Sequence, residues 1–179
     1  ADLPEILSTK IVAQTDRVEV ERVHLRFSNN EERHYERSLS KNGSVIILPL
    51  LDSKTILLVR EYAVGLERYC LGLPKGGIDA GESACDAANR ELKEEIGYGA
   101  KQVSRLTQFA SSPAYSNHII QAMLAENLYP ERLIGDEPEE LEVVRWSLDD
   151  IDELMENPDF IEVKSYAVLL FWLRQARVK

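Results

Sequence analysis

The stretch GGIDAGESACDAANRELKEEIGY, Gly76 to Tyr98, decides how this chain is read. Its second part carries helix punctuation at both ends. Ser83, with Asp86 three residues on, forms a capping box, and Gly97 supplies the stop, so the pattern predicts a helix over Ser83 to Ile96. Upstream, Gly76-Gly77 and Gly81-Glu82 make a connector that can bend sharply and let backbone carbonyls approach a ligand.

On a helical wheel with Ala84 at zero, Leu92 and Ile96 fall near 80° and 120°, with Cys85 near 100° between them. These three form the large apolar stripe. Glu91 at about −20° and Glu95 at about 20° instead lie among Ala84, Ala87 and Ala88, and Glu94 joins them at about −80°. Like charges this close raise each other's pKa and destabilise the helix unless a cation sits among them. Oxygen-only ligands in this number suit a hard divalent ion, Mg²⁺ or Mn²⁺, rather than zinc. The competing reading is a solvated acidic face with Arg90 and Lys93 as partners, and the alanines around Glu95 speak against it. Glu82 is placed to cap or to pair with Arg90.

Outward from the helix, SVIILPL and TILLVREY are apolar, β-branched runs separated by Leu51-Asp52-Ser53-Lys54. Their unbroken hydrophobicity predicts central strands buried on both faces. Lys10 to Ser40 alternates in short runs around the turn-like Ser28-Asn29-Asn30 and reads as a hairpin. Strands are expected at Val103 to Ala110, Asn117 to Ala125 and over EVVRWSL, and helices near Leu148 to Met155 and from Lys164 to Arg177. The fold class is α/β of the mixed α+β kind: a mixed sheet between helices with an N-terminal antiparallel hairpin region. Residues 1–43 form the N-terminal strands and residues 44–179 the main domain.

Composition narrows the function. The chain has 179 residues, 44% of them hydrophobic and 29% charged, as in an ordinary globular protein. A formal net charge of −10 argues against a duplex nucleic-acid binder or a ligand of anionic membranes. A polyanionic small molecule would have to meet cations supplied locally, as Lys and Arg or as bound metal. Cys70 and Cys85 lack metal spacing and read as reduced core residues. His24, His34 and His118 have no spacing for zinc or a triad. No window approaches a membrane span and the N-terminal residues lack a signal-peptide pattern, so the expectation is a cytoplasmic protein.

Gly76, Glu82, Arg90, Glu91, Leu92, Glu94, Glu95 and Gly97 match the Nudix signature, Gly-x5-Glu-x7-Arg-Glu-aliphatic-x-Glu-Glu-x-Gly-aliphatic, and only Tyr98 departs, at the last position. The chain is therefore identified as resembling the Nudix hydrolases. "YER" at the end of the N-terminal strands, "LPKGGIDAGES" and "YPERLIGDEPEE" resemble the ADP-ribose pyrophosphatase group, most closely its ADP compounds hydrolase (NudE-like) branch, and Pro113 resembles that group's downstream proline. The resemblance implies the Nudix fold and Mg²⁺-dependent hydrolysis of ADP-ribose, diadenosine polyphosphates and NADH to AMP and a phosphorylated remainder. Nucleoside triphosphate or other sugar-nucleotide pyrophosphatases use the same box and form the alternative. A non-catalytic nucleotide sensor usually lacks the glutamates kept here, and an NADH pyrophosphatase with a zinc ribbon needs four cysteines.

By the same resemblance Glu91, Glu94 and Glu95 hold the metal, with the Lys75 carbonyl as a backbone ligand, while Gly76, Glu82, Arg90 and Gly97 are structural. The acidic loop Gly135 to Glu140 would supply the general base, Glu137, and a further ligand, Glu139. Arg37, Arg60, Arg68 and Lys75 are the cationic candidates for the substrate, and Tyr115 could stack on a base. The group's usual Glu and Arg are replaced by Gly72 and Ala63, which points from a strict ADP-ribose enzyme towards broader ADP compounds. In related ADP-ribose enzymes the N-terminal strands pack on a second subunit and shape the adenine pocket, so a homodimer is expected.

Overall fold

The computed structural model describes residues 2–136 and 138–177. It divides into two compact units, one formed by the chain up to Gly43 with Ala110–Ile119, the other by Ser44–Phe109 and the chain from Ile120 onward.

In the larger unit, the runs read as central strands are β4 (Ser44–Pro49) and β5 (Thr55–Ala63). Each alternates between two cores. Val45 and Ile47 of β4 and Leu57 and Val59 of β5 pack with Ala87, Ala88, Leu92 and Ile96 of helix α1 (Ala84–Glu95) and its C-cap. Ile46, Leu48, Ile56 and Leu58 face the other way and pack with Leu154, Phe160, Val168 and Leu169, from α2 (Ile151–Glu156), α3 (Val163–Arg177) and the turn between them. Burial on both faces explains why these strands lack polar alternation, and each fully buried Leu, Ile or Phe contributes about 1.5–3 kcal/mol.

The expected single sheet is two. In one, β4 lies between β7 (Lys75–Gly77) and β9 (Ile120–Pro130), with β8 (Tyr98–Phe109) at the edge, and β4 runs parallel to β9. In the other, β5 lies between β10 (Glu142–Ser147) and β6 (Arg68–Gly72), all antiparallel. β4 and β5 share both cores without forming a ladder with each other, and their backbones are joined just past β4 by the bridge of Leu50 with Ile56. The connector after β5 therefore contributes two strands where glycines suggested only a loop. β6 takes its hydrogen bonds from β5 and β7 from β4, and such ladders need no side-chain pattern.

Helix α1 begins where the capping box placed it. Ser83 Oγ accepts from the Asp86 amide at 3.1 Å and donates to the Asp86 carboxylate at 2.7 Å. Gly97 takes φ 72° just beyond the end, the left-handed conformation that ends a helix without Cβ strain. Cys85 departs from expectation: it is exposed, with Sγ 3.7 Å from the Val103 carbonyl, and Cys70 is half-buried. A wheel gives direction around the axis but not position along it, and Cys85 lies in the first turn, beside the edge strand β8. Both thiols are free, as expected.

The smaller unit is a meander of β1 (Glu5–Gln14), β2 (Glu19–Arg26) and β3 (Glu32–Leu39). The expected hairpin is β2–β3, turned at Asn30 with φ 65°. β1 is an addition; two register irregularities break its alternation, which hid most of it. Only Val23 of this sheet's hydrophobics is buried, while Ile6 and Ile11 of β1 are 58% and 42% exposed. Ion pairs Arg22–Glu36, Arg26–Glu32 and Arg37–Glu21 line the strands, and solvent screening leaves such exposed pairs little part in stability. No described helix is long and apolar enough to cross a membrane.

Because α1 is held to the sheet mainly by Leu92 and Ile96, Leu92→Ala is expected to lower the unfolding free energy by about 2–5 kcal/mol in urea titrations. A loss below about 1 kcal/mol would mean that this contact does not anchor the helix.

Candidate active site

β7 pairs with β4 through Ser44–Gly77, Val45–Gly76 and Ile46–Lys75, which carries its backbone past α1. A Cβ at Gly76 would run into the Glu91 carboxyl, so only glycine lets strand and helix approach this closely. One turn on, the Glu95 carboxylate accepts from the Lys75 amide at 3.2 Å. Glu91 and Glu95 are 9% and 5% exposed, the only buried acidic residues among those described.

Arg90 locks the loop to the helix. Nε and Nη2 donate to the two Glu82 oxygens at 3.0 Å each, Nη2 also to the Gly77 carbonyl at 2.9 Å, and Nη1 to Glu91 at 2.7 Å and Glu94 at 3.1 Å. The Glu82 carboxylate further accepts from the Asp79 amide. This pairing holds Glu82 below the usual carboxylate range and the Arg90 guanidinium above its ordinary value. Glu82 and Arg90 thus form a bidentate clamp between loop and helix.

The buried carboxyls behave oppositely. Burial pushes Glu91 up to about 7 against the opposing hydrogen bond from Arg90, with Glu94 and Asp136 adding to the rise. Burial likewise pushes Glu95 up to about 8 although the Lys75 cation opposes it. Two carboxylates whose charge the protein disfavours, beside a third, form a hard-oxygen donor set whose chemistry fits a divalent cation. Among the described residues no three His, Cys, Asp or Glu side chains already converge on one point. Glu91 and Glu94 are drawn to Arg90, so a cation competes with that guanidinium for them.

Lys75, Gly76, Glu91 and Glu94 line a cavity of about 610 Å³ together with Ile134 and Asp136 of the acidic loop. Glu137, expected as base, lies outside the described residues. Glu139 is turned elsewhere, accepting from the Tyr69 hydroxyl at 2.7 Å. Asp136, which does line the cavity, carries no distinguishing signal in the sequence, since one acidic position in the loop looks like the next. The segment leading into the loop is tied to the end of α1 by Leu133 N–H to the Lys93 carbonyl, Glu131 N–H to the Gly97 carbonyl and a Lys93–Glu131 ion pair.

The cations expected for the substrate are each engaged. Arg37 pairs with Glu21 at 2.7 Å, Arg60 with Asp159 at 2.8 Å and Glu142 at 3.1 Å, and Arg68 donates to the Pro158 carbonyl at 2.6 Å. Arg60 and Arg68 therefore meet at one segment, Pro158–Asp159, and neither lines the cavity of the glutamates among the described residues. Lys75 Nζ is 2.6 Å from Glu61 and 3.9 Å from Glu162; burial works against its charge, and these two carboxylates more than offset that. Glu61 and Glu162 had no signal in the sequence, since charged residues at strand and helix ends are usually solvated. Tyr115, 72% exposed, lies in the smaller unit on a surface hollow with Arg22, His34 and Tyr35.

The NUDIX domain model matches residues 41–167, and that of a NudE-type Nudix hydrolase N-terminal domain matches residues 4–37. The chain is 46% identical to the ADP compounds hydrolase NudE of Escherichia coli (strain K12), covering 98% of this chain and 96% of that protein. It is 34% identical to the ADP-ribose pyrophosphatase of Bacillus subtilis (strain 168) over 75% of this chain and 74% of that one. A crystal structure of an ADP compounds hydrolase superposes with a TM-score of 0.92 at 43% identity, covering 98% of this chain and 95% of that chain.

The raised carboxyls set a pH dependence. A group whose pKa is higher folded than unfolded stabilises fully below its unfolded value, here 4.5, and that contribution is lost as pH rises through about 7 for Glu91 and about 8 for Glu95. In chelator, the thermal midpoint is therefore expected to fall between about pH 5 and about pH 8.5, and Glu95→Gln should remove much of the fall. Equal falls in both proteins would show that the Glu95 charge is not its source.

Proposed function

The chain belongs to the Nudix hydrolase family, and from that premise we propose that it is a Mg²⁺-dependent pyrophosphatase cleaving ADP-containing compounds, among them ADP-ribose, diadenosine polyphosphates and NADH, into AMP and a phosphorylated remainder. The observation that carries the reading is a cavity lined by Glu91, Glu94, Lys75 and Asp136, with the buried Glu95 one turn on, held against the Lys75 amide. The extended likeness to ADP compounds hydrolases supports the choice of substrate class.

Nudix hydrolases generally use divalent metal ions, which neutralise phosphoryl oxygens and acidify a bound water. Glu91, Glu94 and Glu95 would hold such an ion, with the Lys75 carbonyl and Glu139 as the remaining ligands expected from the resemblance. For Glu139 this requires release from Tyr69. Glu137 takes the proton of the attacking water, and its neighbour Asp136, which lines the cavity, is the second choice for that part. The water oxygen joins one phosphorus, the bridging oxygen leaves with the other, and AMP departs as a phosphate monoester while the remainder keeps the other phosphate or phosphates. Arg37, Arg60 and Arg68 contribute to substrate binding by exchanging their present partners for phosphate oxygens, and Tyr115 by stacking. A homodimer through the N-terminal strands is supported by the exposed Ile6 and Ile11 on a sheet that buries only Val23.

With Mg²⁺, the wild type is expected to release AMP from ADP-ribose, diadenosine triphosphate and NADH, and Glu95→Gln to abolish release from all three. Turnover of nucleoside triphosphates alone would refute the substrate class. Glu137→Gln should lower kcat by about 10²–10⁴-fold with KM nearly constant. An unchanged kcat there, with collapse in Asp136→Asn, would move the base to Asp136.

A further inference from the structure

A second cavity, of about 530 Å³, adjoins the first and shares Lys75 with it. Its volume lies within the range of about 300–1,000 Å³ usual for small-molecule sites. Its rim is apolar and open: Val64, Leu66 and Ile161 are 81%, 55% and 51% exposed. Tyr62, packed edge-on against Tyr69 at 5.5 Å, continues that wall. The polar side chains lie deeper. Lys75, Glu162 and Glu61 retain only 23%, 25% and 34% of their side-chain surface.

The polar end is constructed rather than incidental. Ser165, fully buried, accepts from the Leu73 amide at 3.0 Å and donates to Glu162 at 2.9 Å, which fixes that carboxylate. A Cβ at Gly72 would stand 3.3 Å from the Glu162 carboxylate and 3.2 Å from Ser165 Oγ, so the absent side chain leaves room for this arrangement. The hollow thus has hydrogen-bond acceptors at depth, a flat apolar wall at the rim and a lysine in common with the pyrophosphate cavity. A protein segment docking on exposed Val64 and Leu66 would need no such acceptors. A nucleoside needs both: its ribose hydroxyls donate, and its ring lies on apolar surface.

We infer that this cavity is a nucleoside subsite, which receives the second nucleoside of a dinucleotide whose pyrophosphate lies at Lys75 and the glutamates. Glu61 and Glu162 accept from the ribose, while Leu66, Val64, Tyr62 and Ile161 hold the ring. The inference rests on the ADP-compound reading and deepens it. ADP-ribose, lacking a second base, reaches the acceptors but not the wall.

The test compares NADH with ADP-ribose, using wild type, Leu66→Asp and Ile161→Asp with Mg²⁺, and following AMP. Either variant is expected to lower kcat/KM for NADH by about tenfold or more while ADP-ribose changes by less than about twofold. Binding of NADH in chelator, read by its own fluorescence, should weaken in parallel. Equal loss on both substrates, or no loss on NADH, overturns the subsite. So does a variant that falls from dimer to monomer in light scattering and loses both activities, because the wall is then covered by a second copy. A wild type that binds NADH in chelator, loses that binding on Leu66→Asp and yet hydrolyses neither compound would refute the activity and keep the subsite.

Discussion

The close passage of β7 across α1 is the contact on which everything else depends. A strand backbone and a glutamate side chain occupy space that a single methyl at Gly76 would deny them. That proximity buries Glu91, brings the Lys75 amide to Glu95 and leaves the carboxylates with too little water to be comfortable as anions. The clamp from Arg90 to Glu82 and the Gly77 carbonyl keeps strand and helix in that relation. By pairing with Glu91 and Glu94, Arg90 also offsets the like-charge repulsion along the helix.

Charge is distributed accordingly. A chain with net charge −10 that handles a polyanion cannot leave its cations idle, and the arginines expected for substrate are all paired. Carboxylates orient Arg37 and Arg60 and the Pro158 carbonyl orients Arg68, so an incoming phosphate must exchange with these partners. Lys75 is the exception in placement, since it belongs to both cavities and keeps its charge through Glu61 and Glu162 although burial disfavours it.

What the sequence made legible follows from local physics. Ser83, Asp86 and Gly97 bound the helix because caps are short-range chemistry, and the apolar runs of β4 and β5 declare double-sided burial by their composition. Glu91 and Glu95 stood out because they sit among alanines. Cys85 misled because angular position says nothing of depth, and β7 hid because a strand of lysine and two glycines has no pattern to show. That β4 and β5 belong to different sheets is a matter of long-range pairing, which neither run encodes by itself. Glu61, Glu162 and Asp136 gained meaning only from residues distant in the chain that fold beside them. Glu162, for example, is oriented by Ser165, which also meets Leu73.

The alternation of β4 and β5 between two cores separates two kinds of heritable change. Residues facing α1, such as Val59 and Leu57, support the helix that bears the glutamates, whereas Ile56 and Leu58 support α2, α3 and the turn between them. Substitutions on opposite faces share few neighbours and should act nearly independently. A change in the core beneath α2 and α3 can then leave the packing under the glutamates in place, so the strand geometry lets one half of the unit be rebuilt without the other.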